Sequence, residues 1–306
     1  MVYDLIILGA GPAGLAASIY ASYHKLSHVV IGETIGGTAL GASHIKNYPG
    51  FKMISGAELM NKFREHSEEL GSKIHQTGIV RLKKEGEFFD ITTPSESYQT
   101  KSILIALGTQ RRKLNISGEE KLLGKGVSYC ATCDAIFFKN KTVAVTGGGN
   151  SAAMAATLLA EHASHVYLIY RGCELRCQPA TLDQLKTNPK ITIIYNTNIL
   201  EIKGETKVES VILDTPFNND KTLRIDGIFI EIGSTPSTNL LSDIGVKLND
   251  QGYILVDQWG KTNIDGVYAA GDIISNTPGF NQIITAAADG ATAVNAIYKY
   301  LKEIKK

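Results

Sequence analysis

The chain has 306 residues, 43% of them hydrophobic and 20% charged, with 31 basic and 30 acidic side chains leaving a net charge of +1. That length exceeds one ordinary core and predicts two domains, and the composition excludes a disordered chain. Near-neutrality excludes a global field that recruits nucleic acid or an anionic membrane, and four cysteines are too few for a disulfide scaffold.

The N-terminal stretch "MVYDLIILGAGPAGLAASIY" has no basic leader, and Asp4 interrupts its apolar run. Neither a secretory signal nor a membrane span is expected, and the predicted location is cytoplasmic. Residues 3–8 are an apolar run of strand length, "GAGPAG" is a glycine turn, and "LAASIYASYHKL" has helical spacing. With "HVVIG" at 28–32 they form a strand–helix–strand unit. In that turn Gly9 allows the tight bend, Gly11 a close backbone approach to pyrophosphate, and Gly14 the packing of helix on strand, with Pro12 and Ala13 between them. Glu33 stands beyond the second strand, where a carboxylate accepts from a ribose hydroxyl. The elements therefore spell a dinucleotide site.

Further along, residues 87–108 alternate in strand fashion and end on Gly108. "SYCATCDAIF" then sets Cys130 and Cys133 three positions apart with Asp134 directly after. Such a pair in a reducing compartment is redox-active or metal-bound. Zinc needs four ligands, and Cys173 and Cys177 could supply only an unusual Cys-x-x-x-Cys spacing, so the redox reading is preferred and no metal is expected. At 141–170 the strand–glycine–helix–strand grammar returns. Gly147, Gly149 and Ala152 of "GGGNSA" give a Gly-x-Gly-x-x-Ala turn, with Asn150 and Ser151 opening the helix. Here the next strand ends in Tyr170 and Arg171, with Arg176 close behind and no acid, which suits the 2′-phosphate of NADP better than a bare ribose. Short strands follow at "ITIIYN", "ILEIKG", "VESVILD" and "IDGIFIEIG", two more in "YILVDQWGKTNIDGVYAAGDI", and a long helix from near Gln282 ends in lysines. The predicted fold is α/β with two Rossmann-like domains. A first domain of residues 1–114 and 243–306 is split by a second of residues 115–242.

With two dinucleotide units flanking "CATCD", the whole chain resembles the low-molecular-weight thioredoxin reductases of the flavoprotein disulfide reductase superfamily. The motifs that carry the resemblance are "GAGPAG", "IGGTALGASHIKNYPG", "CATCD", "GGGNSA" and "GVYAAGDI". The resemblance implies FAD in the split domain, NADPH in the inserted one, thioredoxin as disulfide substrate, and a homodimer. Gly36, Gly37, Thr38 and Asn47 would line the FAD, Gly271 and Asp272 would meet its ribityl-pyrophosphate part, and Gln282 and Ile283 would approach its ring. By the same resemblance Cys133 is the thiol nearest the flavin, Cys130 attacks thioredoxin, and Asp134 is the acid. The domains would rotate about crossings near 113–117 and 242–246.

The family's nucleotide-phosphate loop reads His-Arg-Arg followed by a further arginine; this chain has Tyr170, Arg171, Gly172 and Arg176. One arginine and the histidine are missing, so the electron donor is NADPH by resemblance with ferredoxin as the alternative. Thr38 replaces a usual glutamine and Asn281 a usual arginine beside the flavin positions. A dithiol oxidase passing electrons to oxygen, a non-catalytic redox sensor, and a regulatory disulfide at Cys173 and Cys177 are the remaining alternatives.

Overall fold

The architecture comes from a computed structural model that describes residues 2–42, 45, 47–275 and 281–304. Three positions of the quoted stretch "IGGTALGASHIKNYPG", residues 43, 44 and 46, lie outside the described residues. The chain divides into two compact units, one of residues 1–110 and 235–306 and one of residues 111–234. The first crossing lies four residues and the second eight residues before the expected ones, on two short strands.

The parallel sheet of the first unit begins with β1 (Leu5–Leu8), followed by α1 (Pro12–Tyr23), β2 (His28–Ile31), β3 (Lys73–His75) and β4 (Ile103–Ile105). All four residues of β1 are buried. Ile6 and Leu8 join one hydrophobic cluster while Leu5 and Ile7 join another, as alternation across a sheet covered on both faces requires. That double burial is why the strand reads as an unbroken apolar run. A separate sheet of Val2–Tyr3, Ser97–Thr100, Phe88–Thr92 and Arg81–Glu85 flanks it in sequence, and helix Gly56–Glu69 starts at a capping box of Ser55 and Glu58.

The strand β5 (Thr109–Arg111) carries the chain into the second unit. There follow β6 (Val127–Ser128), a one-turn helix α2 (Ala131–Asp134), β7 (Thr142–Thr146), α3 (Asn150–His162), β8 (His165–Ile169), β9 (Ile191–Ile194) and β10 (Gly227–Ile230). The five strands form a parallel sheet in the order β6-β10-β7-β8-β9. Val143 and Val145 of β7 face one cluster and Ala144 the other. A three-stranded antiparallel sheet, Ile199–Lys203, Ser210–Phe217 and Asp220–Arg224, completes the unit.

The return strand, β11 (Ser234–Pro236), pairs with β5, so the two crossings form a two-stranded ribbon. Back in the first unit come β12 (Val267–Ala269) and α4 (Ile283–Glu303). The parallel sheet of this unit runs β12-β4-β1-β2-β3. The strand expected at "YILV" is not formed; Ile254 makes only isolated bridges to Leu248 and Ile274, because the chain bends at once into the Asp257 turn, whose carboxylate accepts from Trp259 and Lys261 N–H. Among the described residues no helix is long and apolar enough to cross a membrane.

Candidate active site

The first glycine turn joins β1 to α1. Gly9 has φ +112°, and a Cβ there would stand 2.2 Å from the Ala106 carbonyl oxygen. A Cβ on Gly14 would stand 1.9 Å from the Gly9 oxygen, so helix and turn touch backbone to backbone. Gly11 is different: its Cβ would meet only the Gly37 Cα, at 3.9 Å. Space at Gly11 is therefore left open toward a second glycine loop rather than filled by packing. Gly11 is also the cap of α1 without a side-chain bond, and Pro12 is the first helical residue, which lacks an N–H to satisfy.

The second loop is pinned beside the first, since Gly36 N–H donates to the Ala10 carbonyl at 2.7 Å. Gly36 and Gly37 have φ +101° and +57° and lead into the short turn that carries the exposed Thr38. Glu33 is exposed beyond β2 against Gly78. Gly271, φ +79°, approaches Ala13 so closely that a Cβ would stand 2.9 Å from the Ala13 Cβ, with Asp272 next in the chain. Asn47 Nδ2 donates to Gln282 Oε1 at 2.8 Å, and Ile283 packs with Ala39, Ile45, Ile54, Leu59 and Met60. Gly9, Gly11, Gly14, Gly36, Gly37 and Gly271 thus meet around the start of α1, while Asn47 and Gln282 form a separate pair. Asn281, where the family has an arginine, is exposed just before α4.

The second glycine loop joins β7 to α3. A Cβ on Gly147, φ +147°, would stand 2.2 Å from the Glu231 carbonyl oxygen, whereas one on Gly149 would meet nothing within 4 Å. Asn150 and Ser151 are exposed and Ala152 is buried. The loop after β8 folds back over this turn: Arg176 N–H donates to the Gly148 oxygen at 2.6 Å, and Gln178 N–H to Asn150 Oδ1 at 2.8 Å. The Tyr170 ring lies between Gly148 and Gly172, where Cβ atoms would stand 2.1 and 2.7 Å from it. Arg171 and Arg176 are exposed. Cys173, exposed, and Cys177, half-buried, are free thiols.

Between β6 and β7, Cys130 and Cys133 are joined as a disulfide with Cα atoms 5.3 Å apart. Cys133 is buried at 4% exposure, while Cys130 is half-buried. Ser128 links the motif's ends: Cys130 N–H donates to Ser128 Oγ at 3.0 Å, and that hydroxyl donates to Asp134 Oδ2 at 2.6 Å. A one-turn helix with a buried and a half-buried cysteine, and a carboxylate tied to Ser128 two residues before the cap, can exchange electrons on one side and thiols on the other. Among the described residues no group of three or more His, Cys, Asp or Glu gathers to hold a metal ion.

Residues 3–290 match the family described as pyridine nucleotide-disulphide oxidoreductase. The chain belongs to that family. A thioredoxin reductase of Listeria monocytogenes is 36% identical over 308 residues, covering 100% of this chain and 96% of that protein. The crystal structure of thioredoxin reductase from Streptococcus pyogenes is similar with a TM-score of 0.82 at 34% identity, covering 99% of both chains. A ferredoxin-flavin thioredoxin reductase from Clostridium acetobutylicum is similar at 34% identity with a TM-score of 0.53, again covering 99% of both. This family member is a FAD-dependent oxidoreductase that acts on a disulfide, reducing thioredoxin, within a family that works with FAD and NADPH.

Several residues of this oxidoreductase carry no signal in the motifs. Asp289 on α4 accepts the Gly271 N–H, and burial pushes its carboxyl up while that bond pulls it back. Gly290 beside it is a glycine inside a helix, a sign of close approach, and its Cβ would stand 2.2 Å from the Ala13 oxygen. Glu119, 2% exposed, accepts from the N–H groups of Leu114 and Asn115 and from the Tyr129 hydroxyl. No local pattern announces it.

Proposed function

We propose that the Cys130–Cys133 disulfide is the redox centre of a cytoplasmic, homodimeric thioredoxin reductase that takes its electrons from NADPH. The observation that carries this reading is the disulfide itself, with one buried sulfur, one accessible sulfur and the Ser128–Asp134 bridge beside the accessible one. The residues at the first turn fit FAD: open space at Gly11 and Gly37, an α1 start without a side-chain cap, and the exposed Glu33 carboxylate. Gly271, Asp272, Asn47, Gln282 and Ile283 would hold the rest of it. Gly147, Gly149, Asn150, Ser151 and Ala152 would take the nicotinamide nucleotide's pyrophosphate, and Arg171 and Arg176 its 2′-phosphate. When bound, these two groups supply the electron pair that opens the disulfide.

The chain's own part is thiol exchange. In the dithiol form Cys130, as thiolate, attacks one sulfur of the thioredoxin disulfide; a mixed disulfide forms and the departing sulfur takes a proton from Asp134. Cys133 then gives its proton to the Asp134 carboxylate and attacks Cys130; the second substrate sulfur leaves and takes that proton, and the Cys130–Cys133 disulfide is restored. Two electrons and two protons pass to the substrate. Cys133 suits the resolving step because it is shielded from the substrate.

A second reading, ferredoxin in place of NADPH, is favoured by one observation: an aromatic ring, not a cation, directly follows β8 and covers Gly148, leaving two arginines, Arg171 and Arg176, for the phosphate. Anaerobic titration of the flavin absorbance separates the two. Bleaching at micromolar NADPH supports the first; bleaching by dithionite alone, or by reduced ferredoxin, supports the second. Cys130→Ser is expected to keep its FAD and lose thioredoxin turnover by at least about 10³-fold, the usual scale for loss of a nucleophile. Retained turnover would place the exchange at other thiols.

A further inference from the structure

One ion pair holds the peptide groups on both sides of Cys130. Arg111, the last residue of β5, stands 4.0 Å from the Glu231 carboxylate, measured from Nη1 to Oε2. The same Arg111 Nη1 donates to the carbonyl of Tyr129. The Ala131 N–H faces the Glu231 carboxylate closely enough to pull its pKa down. Tyr129 and Ala131 are the neighbours of Cys130, so each flank of the cysteine faces one member of the pair.

The backbone behind one grip and the tyrosine held by the other are themselves tied down. Glu231 follows β10, its own N–H donates to the Thr146 carbonyl at 2.9 Å, and its carbonyl fills the space beside Gly147. Its side chain is 14% exposed against 46% for Arg111. On the other flank the Tyr129 hydroxyl is tied to buried Glu119. Burial pushes the Glu231 carboxyl up to about 7, outweighing the opposite pulls of Arg111 and the Ala131 N–H. In the alternation of "IDGIFIEIG" this position asks for no carboxylate, and a group that costs stability beside a reactive motif points to a use.

That use follows from what happens when the disulfide opens. The S–S bond is then gone, and the turn of α2 keeps the bonds of Cys133 and Asp134 N–H to the Cys130 carbonyl, both 3.2 Å. A single helical turn does not hold itself in water. We propose that Glu231, with Arg111, is a positioning residue that keeps the Cys130 peptide in place while the Cys130–Cys133 pair is a dithiol. The proposal rests on that pair being the redox centre.

The test compares holoenzymes bearing Glu231→Met, of similar length and without an acceptor, and Glu231→Gln, which keeps an acceptor oxygen and loses the charge. The first readout is the dithiol–disulfide equilibrium of Cys130 and Cys133 in glutathione buffers, followed by thiol mass labelling with FAD content as the folding control. It needs neither thioredoxin nor an electron donor. Loss of positioning lowers the effective concentration of one thiol at the other, so Glu231→Met is expected to shift the equilibrium toward the dithiol by about tenfold. The second readout is thioredoxin turnover, where kcat should fall by a similar factor with KM unchanged. Glu231→Gln should restore both to within about twofold, since its amide oxygen still faces the Ala131 N–H. Wild-type equilibrium and kcat in Glu231→Met would overturn the proposal, as would a Gln variant as impaired as the Met one. Arg111→Met, which releases Tyr129, gives the independent check and should shift the equilibrium in the same direction. If the wild type fails to reduce thioredoxin while the glutathione equilibrium still responds to Glu231→Met, the functional reading falls and the positioning role stands.

Discussion

Glu231 also leaves a mark on stability. Its carboxyl is pushed up to about 7 in the folded chain against an ordinary 4.5, with burial the largest cause. The folded state therefore holds this proton more tightly than the unfolded state does. The favourable contribution is complete below about pH 4.5 and is lost as pH rises through about 7. Glu231→Gln cannot ionise, so its stability relative to wild type should improve between pH 5 and pH 8 by about 1–3 kcal/mol, since each tenfold difference in proton affinity between the two states is worth about 1.36 kcal/mol. Urea unfolding at both pH values measures it, and a difference that does not change with pH would mean that the carboxyl ionises normally. Cys130, Cys133 and the glycines are legible in the sequence because their chemistry or their missing Cβ has few other uses. Glu231 and Arg111 are not. One follows a strand buried at every position and the other is an arginine in a short polar stretch, and only the chain's return at residue 231 brings them to the same cysteine.

The contact of α1 with α4 sets how the first glycine turn is held. Ala13, Ala17 and Ala21 of α1 share a cluster with Ala286, Ala293, Val294, Ile297 and Leu301 of α4, and at Gly290 the two helices come into backbone contact. In an isolated helix Gly290→Ala would gain about 1 kcal/mol of propensity. Here its Cβ would stand 2.2 Å from the Ala13 oxygen, which is backbone and cannot turn aside. Overpacking of about 1–3 kcal/mol or more outweighs the gain, so the variant should unfold at lower urea and lose FAD more readily. A variant as stable as wild type, with FAD intact, would show that the helices part without cost. Elements of this kind are readable where burial is continuous, as in β1 and β7, or where apolar spacing is helical, as in α1, α3 and α4. The "YILV" run misleads because a short apolar run says nothing of whether a neighbouring strand is there to pair with, and at Ile254 only single bridges form.

At the scale of the molecule, the split of one unit by the other is legible from the repeated strand–glycine–helix grammar, since each unit needs its own sheet and its own pair of clusters. The sequence places the crossings four and eight residues late because composition shows where polar residues gather and not where strands pair. If FAD is held by the discontinuous unit, removing and restoring it should change hydrogen exchange there and leave β7, β8 and β10 of the other unit nearly unmoved. At a hundredfold excess over the dissociation constant, binding adds about 2.7 kcal/mol to opening of the unit that holds the ligand. Equal protection gained by both units would argue against that assignment.

The ribbon of β5 and β11 bears on how such a chain arises. Arg112 N–H donates to the Gly233 carbonyl at 3.0 Å and Ser237 N–H to the Gly108 carbonyl at 3.2 Å, so the outbound and returning strands run side by side. To the first unit, the whole second unit is no more than the loop of a hairpin. A gene for a single nucleotide-binding domain needs to be opened at only one codon boundary to accept the other, and a turn of a few residues in place of 111–234 would close it again.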